Sequence, residues 1–214
     1  PPDVYLPGLR QLCDKYGILL ICDEVMAGFG RTGEWFAVDH WGVVPDIMTM
    51  AKGLTSSYLP LGAVAIGGKV ADYFRKNTFY GGLTYNAHPM SLAAAIETIK
   101  VMEDEDIVGN AKRMGMVMAR LLDDLKAEHP SVGEVRSIGL FGVIELVKNR
   151  ETKEVMPAGE MAKASAYLKE QGLYHFAPGH LLFTNPPLII TEAQLKEAFN
   201  IINEALAITD QAVL

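Results

Sequence analysis

Apolar positions are spaced in two ways along this chain, and the switches between them mark out its elements. From Pro7 to Tyr16, Leu9, Leu12, Cys13 and Tyr16 fall at helical spacing, with Pro7 suited to a first turn and Gly17 to the position just past the last one. A continuous apolar run, Ile18 to Cys22, follows and stops at an acidic pair, Asp23 and Glu24. Bounded in this way, it predicts a buried strand. A second run, Ile47 to Met50, ends just before Lys52, and a third, residues 61–67 (LGAVAIG), is closed by Gly67 and Gly68. Val70 to Arg75 and Pro89 to Glu103 return to helical spacing on either side of a Gly- and Tyr-rich loop, residues 78–89. Helices alternating with apolar strands predict an α/β unit on a mostly parallel sheet.

The second half changes its pattern after the acidic cluster Glu103 to Asp106. Ile107 to His129 is amphipathic, with Met114, Met118, Leu121, Leu122 and Leu125 on one stripe. Residues 133–148 (GEVRSIGLFGVIELVK) predict two antiparallel strands, with Gly139 and Gly142 as bend or bulge positions. A helix from Glu160 to Gln171 is stopped by Gly172, and residues 173–190 are strand-like but broken by Pro178-Gly179 and Pro186-Pro187. Thr191 and Gln194 form a capping box for a last helix striped by Leu195, Phe199, Ile202 and Leu206. This half is expected to be α+β. The boundary is set near residue 100, giving domains 1–100 and 101–214.

Composition narrows the classes. Half of the 214 residues are hydrophobic and the net charge is −7, so no basic stripe is present to neutralise a nucleic-acid backbone. The apolar runs fall short of the roughly 20 residues that span a bilayer. Cys13 and Cys22 are expected as free thiols, and the Pro-Pro-Asp start lacks the basic-then-apolar pattern of a signal peptide. A cytoplasmic protein without nucleic-acid or membrane partners is the expectation.

The chemistry gathers on residues 18–57. Two neighbouring strands would present a carboxylate, Asp23, and an amine, Lys52, at their carboxyl ends, where open α/β sheets bind ligands. A lysine at the end of a buried strand is costly unless paired, neutral or used covalently. Asp23 suits either a ligand-holding carboxylate or a plain cap or surface acid, and Glu24 beside it a structural role. Together, an acid and a lysine match the needs of pyridoxal phosphate (PLP), which serves as an electron sink through a lysine Schiff base and an acid on its ring nitrogen. His40, His88, His175 and His180 show no metal-ligand spacing. Arg31 fits a functional or a loop-anchoring role equally.

Three stretches, ILLICDEVMAGFGRTG (18–33), PDIMTMAKGLTSSYLPLGAV (45–64) and GGLTYNAHPMSLAAA (81–95), resemble the class III (ω-)aminotransferases, which are PLP enzymes of fold type I. The resemblance extends over essentially the whole chain. It implies part of the large, mostly parallel-sheet PLP-binding domain, followed by the small α+β C-terminal domain. It further implies that Asp23 pairs with the pyridine nitrogen, Val25 packs on the ring, Lys52 is the Schiff-base lysine and Thr84 reaches the cofactor phosphate of a neighbouring subunit. A homodimer or higher homo-oligomer comes with Thr84. Members of the family are about twice as long, so the chain is expected to correspond to their C-terminal half. Many carry an arginine shortly before the Pro-Pro pair that clamps a substrate α-carboxylate. Residues 172–187 contain none, which tilts the donor towards an ω-amino acid, a taurine-like compound or a simple amine, with a 2-oxo acid as acceptor.

Other readings use the same residues. A lyase, decarboxylase or aminomutase of this fold would employ the same Asp23 and Lys52, and a catalytically incomplete piece could serve only structure or dimerisation. The strand ending in Asp23-Glu24 also has the look of an ATPase Walker B segment, but the glycine-rich phosphate loop with its Gly-Lys-Ser/Thr ending is absent.

Overall fold

The structure is a computed structural model that describes residues 1–213. It divides into two compact units, residues 1–109 and 110–214.

In the first unit, helix α1 (Tyr5–Tyr16) ends at Gly17, whose left-handed φ of 67° closes the last turn. The chain then enters strand β1 (Ile21–Asp23), which pairs in parallel with β2 (Ile47–Met50). Strand β3 (Ala63–Ile66) lies antiparallel on the other edge of β2. A small core of Cys13, Leu20 and Val43, with Leu6, Cys22 and Trp41 against it, joins α1 to the sheet. Both cysteines are free thiols. Asp46 reinforces the junction: its Oδ2 accepts from the Leu20 N–H at 2.8 Å and from Arg10 at 2.9 Å. These two donors, the backbone N–H first, hold the Asp46 carboxyl below its usual range. Short helix α2 (Gly68–Phe74) and the long α3 (Pro89–Asp104), which starts on its proline, complete the unit.

The expected burial of these strands is not what the structure has. Ile21 of β1 is 59% exposed, β2 is half-buried throughout, and Val64 and Ile66 of β3 are exposed. An apolar run reports that a strand wants both faces covered; it does not supply the layer that covers them. In this chain the sheet has three strands among the described residues, and these side chains remain open.

The second unit has its own core. Helix α4 (Ile107–Glu128) leads into the hairpin β4 (Val132–Ile138) and β5 (Phe141–Asn149). The two-residue strand β6 (Glu154–Val155), helix α5 (Ala158–Glu170), strand β7 (Leu181–Thr184) and helix α6 (Glu192–Asp210) follow. Strand β5 pairs antiparallel with β4, β6 and β7. Met118, Leu122 and Leu125 of α4, Ile144 and Leu146 of β5, Leu182 of β7, and Leu195, Phe199, Ile202 and Leu206 of α6 share one core. Thr191 caps α6 as its sequence foretells: its Oγ1 accepts from Gln194 N at 3.3 Å, and the Gln194 Oε1 accepts from Thr191 N at 3.0 Å. At the far end, buried His129 meets Asp210 at 2.7 Å and Asn203 at 2.8 Å, and Asp210 also takes the Ser131 hydroxyl at 2.6 Å. Among the described residues, no helix is long and apolar enough to cross a membrane.

Gly139 and Gly142 differ from their expected roles. Gly139, with φ 55°, is in the tight turn between Ile138 and Phe141. Gly142 lies in regular register opposite Ser137 and Thr184; the irregularities fall instead between Val132 and Glu134 and between Val147 and Asn149. Its reason is space. A Cβ there would come within 2.3 Å of the Thr184 Oγ1, a buried hydroxyl without a hydrogen-bond partner. Gly115 in α4 is more constrained still. A Cβ on it would lie 2.6 Å from the Gly139 Cα, so the helix backbone rests directly on the hairpin turn.

Gly115→Ala should therefore destabilise the protein by about 1–3 kcal/mol despite its better helix propensity, because the obstacle is backbone. Gly142→Ala should cost a similar amount alone and much less in a Thr184→Ala background, where the obstructing oxygen is gone. Urea unfolding midpoints of wild type, the three single variants and the Gly142→Ala/Thr184→Ala double variant check this. The stability that Asp46 adds is present above the ordinary carboxylate range and is lost as pH falls through its lowered pKa. Asp46→Asn should flatten the acid limb of the stability–pH curve, read from thermal midpoints between neutral and acid pH.

Candidate active site

The parallel register of β1 and β2 aligns their carboxyl ends, with Asp23 opposite Thr49. Asp23 closes β1. Lys52 begins the 3-10 turn Lys52–Leu54 just after β2. A carboxylate and an amine thus leave adjacent strands in the same direction, at the end where ligands bind in such sheets. Both side chains are exposed, so the burial expected at the lysine's strand end does not hold in this chain. The Asp23 Oδ1 accepts the Val25 N–H at 2.9 Å, which turns the carboxylate back over its own loop. The Lys52 Nζ rests against the Met26 sulfur. Met26 is a site residue that sequence reasoning missed, since a methionine after the acidic pair carries no signal of its own.

Backbone strain concentrates at the lysine. Lys52 has φ 39°, and Ser56 and Ser57 have φ 47° and 64°. Non-glycine residues in this region cost of order 1–3 kcal/mol each and persist where the surroundings over-determine them. The surroundings here are visible. Gly53 sits so close to Phe29 that a Cβ on it would lie 2.6 Å from the Phe29 Cβ, and the Thr55 hydroxyl donates to the Leu59 carbonyl at 2.6 Å. Lys52, Thr55, Ser57, Leu59, Pro60 and Leu61 line a cavity of about 360 Å³.

The loop between the strands is equally fixed. Glu24 is buried, and its two oxygens accept the N–H groups of Ala37 and Val38, each at 3.0 Å. The structural role expected for Glu24 is what the structure gives it. Phe29 and Phe36 meet edge to face at 5.5 Å inside the loop. Arg31 is half-buried there, and burial pulls its guanidinium pKa down. The remaining candidate, Thr84, lies on an exposed turn preceding α3 rather than on the strand ends. Of the histidines, His40 faces the Thr32 carbonyl at 3.0 Å, His175 the Ser165 hydroxyl at 2.9 Å and His180 the Glu145 carboxylate at 3.6 Å.

Comparison with known proteins gives this geometry a family. The model of the class-III aminotransferases matches residues 1–206. The chain is 38% identical to a putrescine–pyruvate aminotransferase of Pseudomonas aeruginosa, over 100% of the chain and 47% of that relative. It is 37% identical to a taurine–pyruvate aminotransferase of Bilophila wadsworthia, over 99% and 49%. Among solved structures, a taurine:2-oxoglutarate aminotransferase from Bifidobacterium kashiwanohense, in complex with PLP and glutamate, superimposes with a TM-score of 0.95 at 40% identity. That match covers 100% of the chain and 49% of the other protein. The chain spans about half the length of the curated relatives it matches.

Proposed function

The chain belongs to the class III aminotransferase family, and on that premise we propose that it serves PLP-dependent transfer of an amino group to a 2-oxo acid such as pyruvate or 2-oxoglutarate. The donor is an ω-amino acid, a taurine-like compound or a simple amine. The observation that carries this reading is that exposed Asp23 and exposed Lys52 lie at the carboxyl ends of the adjacent parallel strands β1 and β2. The donor set suits the group: an anion for a protonated ring nitrogen, a primary amine for an aldehyde carbon, and apolar walls nearby in Val25, Leu59 and Pro60.

When bound, PLP supplies an electron sink for the negative charge that develops at the substrate carbon. The chain's own residues do the rest. Asp23 would keep the ring nitrogen protonated, and the N–H of Val25 orients that carboxylate. The Val25 side chain would supply an apolar wall for the ring. Lys52 Nζ would hold the cofactor covalently, and its amine, when free, would hold and move a proton at the substrate carbon. Its strained turn fixes where the lysine leaves the backbone. Thr84, on its exposed turn, is free to reach the phosphate of a second subunit, which makes the working unit a homodimer. The unit of residues 1–109 then belongs to the PLP-binding domain and that of 110–214 to the small domain of a cytoplasmic enzyme, the boundary expected near residue 100 falling beyond the end of α3. Two relatives named for putrescine and taurine, neither of which bears an α-carboxylate, support the donor class. So does the absence of arginine from residues 172–187.

Incubation with PLP, borohydride reduction and peptide mapping test the assignment: the phosphopyridoxyl mass should fall on the peptide containing Lys52, and its absence there would overturn the reading. Lys52→Ala should lower transamination by at least about 10²–10⁴-fold with the fold intact by circular dichroism. Asp23→Asn should lower it by about 10²-fold or more, since a neutral amide no longer favours the protonated ring nitrogen. Rates like wild type in steady-state assays would refute either role.

A further inference from the structure

We propose that Glu24 is the positioning residue for Asp23, acting through the loop it clasps; the inference rests on the function proposed above. Consecutive residues at a strand end point to opposite sides. Asp23 therefore projects, exposed, from the side opposite to Glu24, which is 2% exposed and turns beneath the loop. A carboxylate buried this deeply needs its oxygens satisfied, and both are, by the N–H groups of Ala37 and Val38 thirteen and fourteen positions downstream. The Glu24 backbone is held as firmly. Its N–H donates to the Thr49 carbonyl at 2.9 Å, continuing the β1–β2 ladder, and its carbonyl accepts from Gly28 at 3.0 Å.

Four hydrogen bonds thus tie one residue to β2, to the start of the loop and to its return. Gly28 lies so close that a Cβ on it would come within 2.8 Å of the Glu24 carbonyl oxygen, and Phe36, beside Ala37, is 3.2 Å from the same point. Between these anchors lies Val25, whose N–H orients the Asp23 carboxylate at 2.9 Å. Loosening Glu24 frees that N–H to move, and the carboxylate with it. Glu24 touches neither ring nor substrate in this account; it sets how steadily Asp23 presents its charge.

The test compares wild type with Glu24→Gln, Glu24→Asp and Asp23→Asn as PLP-loaded protein. Two quantities are measured: amide hydrogen exchange at Ala37 and Val38, and the midpoint of the pH titration of the bound cofactor's absorbance. Glu24→Gln keeps the size but turns an amide N–H₂ towards one of the two donors, so exchange at those amides should rise at least about tenfold. The titration midpoint should move by roughly one pH unit, in the direction that Asp23→Asn moves it. Glu24→Asp retains the charge with a shorter reach and should fall between. A lowered thermal midpoint with an unmoved titration would assign Glu24 to stability alone and overturn the inference. A wild-type protein without a cofactor absorbance band would instead overturn the transaminase reading, and this inference with it.

Discussion

The parallel pairing of β1 with β2 is the constraint on which the chemistry of the first unit depends. Parallel strands bring like ends together, so whatever follows Asp23 and Thr49 must emerge on the same side. Had these strands run antiparallel, as β2 and β3 do, Lys52 would have left from the end opposite to Asp23. Each strand is short, and the pairing alone is a weak fixture. What steadies it is polar: Asp46 takes the Leu20 N–H at one end of the pair, and the Glu24 N–H meets the Thr49 carbonyl at the other. The strand ends are anchored by polar contacts, one from the Asp46 side chain and one between backbone groups, which suits a sheet whose apolar side chains are largely open in this chain.

From that frame the loops gain their precision. Phe29, itself at φ 55°, fills the space that a side chain on Gly53 would need, so the loop after β1 and the turn after β2 lock against each other. The strain at Lys52, Ser56 and Ser57 is therefore held in place from outside the turn. The forced φ sets the direction in which the lysine leaves the backbone, and its Nζ then rests against the Met26 sulfur.

Much of this was legible from residue order, and the parts that were not share a cause. Gly17, Pro89 and the Thr191–Gln194 box mark helix ends through chemistry that is local, and the helices end where those residues say. The Asp23 and Lys52 positions follow from where two apolar runs stop. Misreadings arise where the answer depends on a distant neighbour. The open faces of β1 and β3 depend on a covering layer that an apolar run cannot specify. Gly142 resembles a bulge glycine until Thr184, which shares its face across β7, is known. The two-residue β6 has too little length to leave a pattern. Met26 and the buried His129 carry no local mark either, because their partners Lys52, Asp210 and Asn203 lie 26 to 81 positions away.

The acidic pair at the end of β1 shows how much a strand end can divide labour between adjacent residues of the same charge. Side by side in sequence, Asp23 and Glu24 would repel if both faced one site. The alternation of a strand sends them apart, and their environments then separate their uses. Glu24 is buried and fully met by backbone donors, so it is spent on the scaffold. Asp23 keeps one backbone donor and stays exposed, so its charge remains available to a ligand. Side-chain length fits the division. Glu24 has the extra methylene needed to reach the N–H groups across the loop, while the shorter Asp23 is held close to the strand end by the N–H of Val25. Exchanging the two acids would leave the loop unclasped and put a longer, looser carboxylate at the ligand end, so the order Asp-Glu is itself part of the geometry.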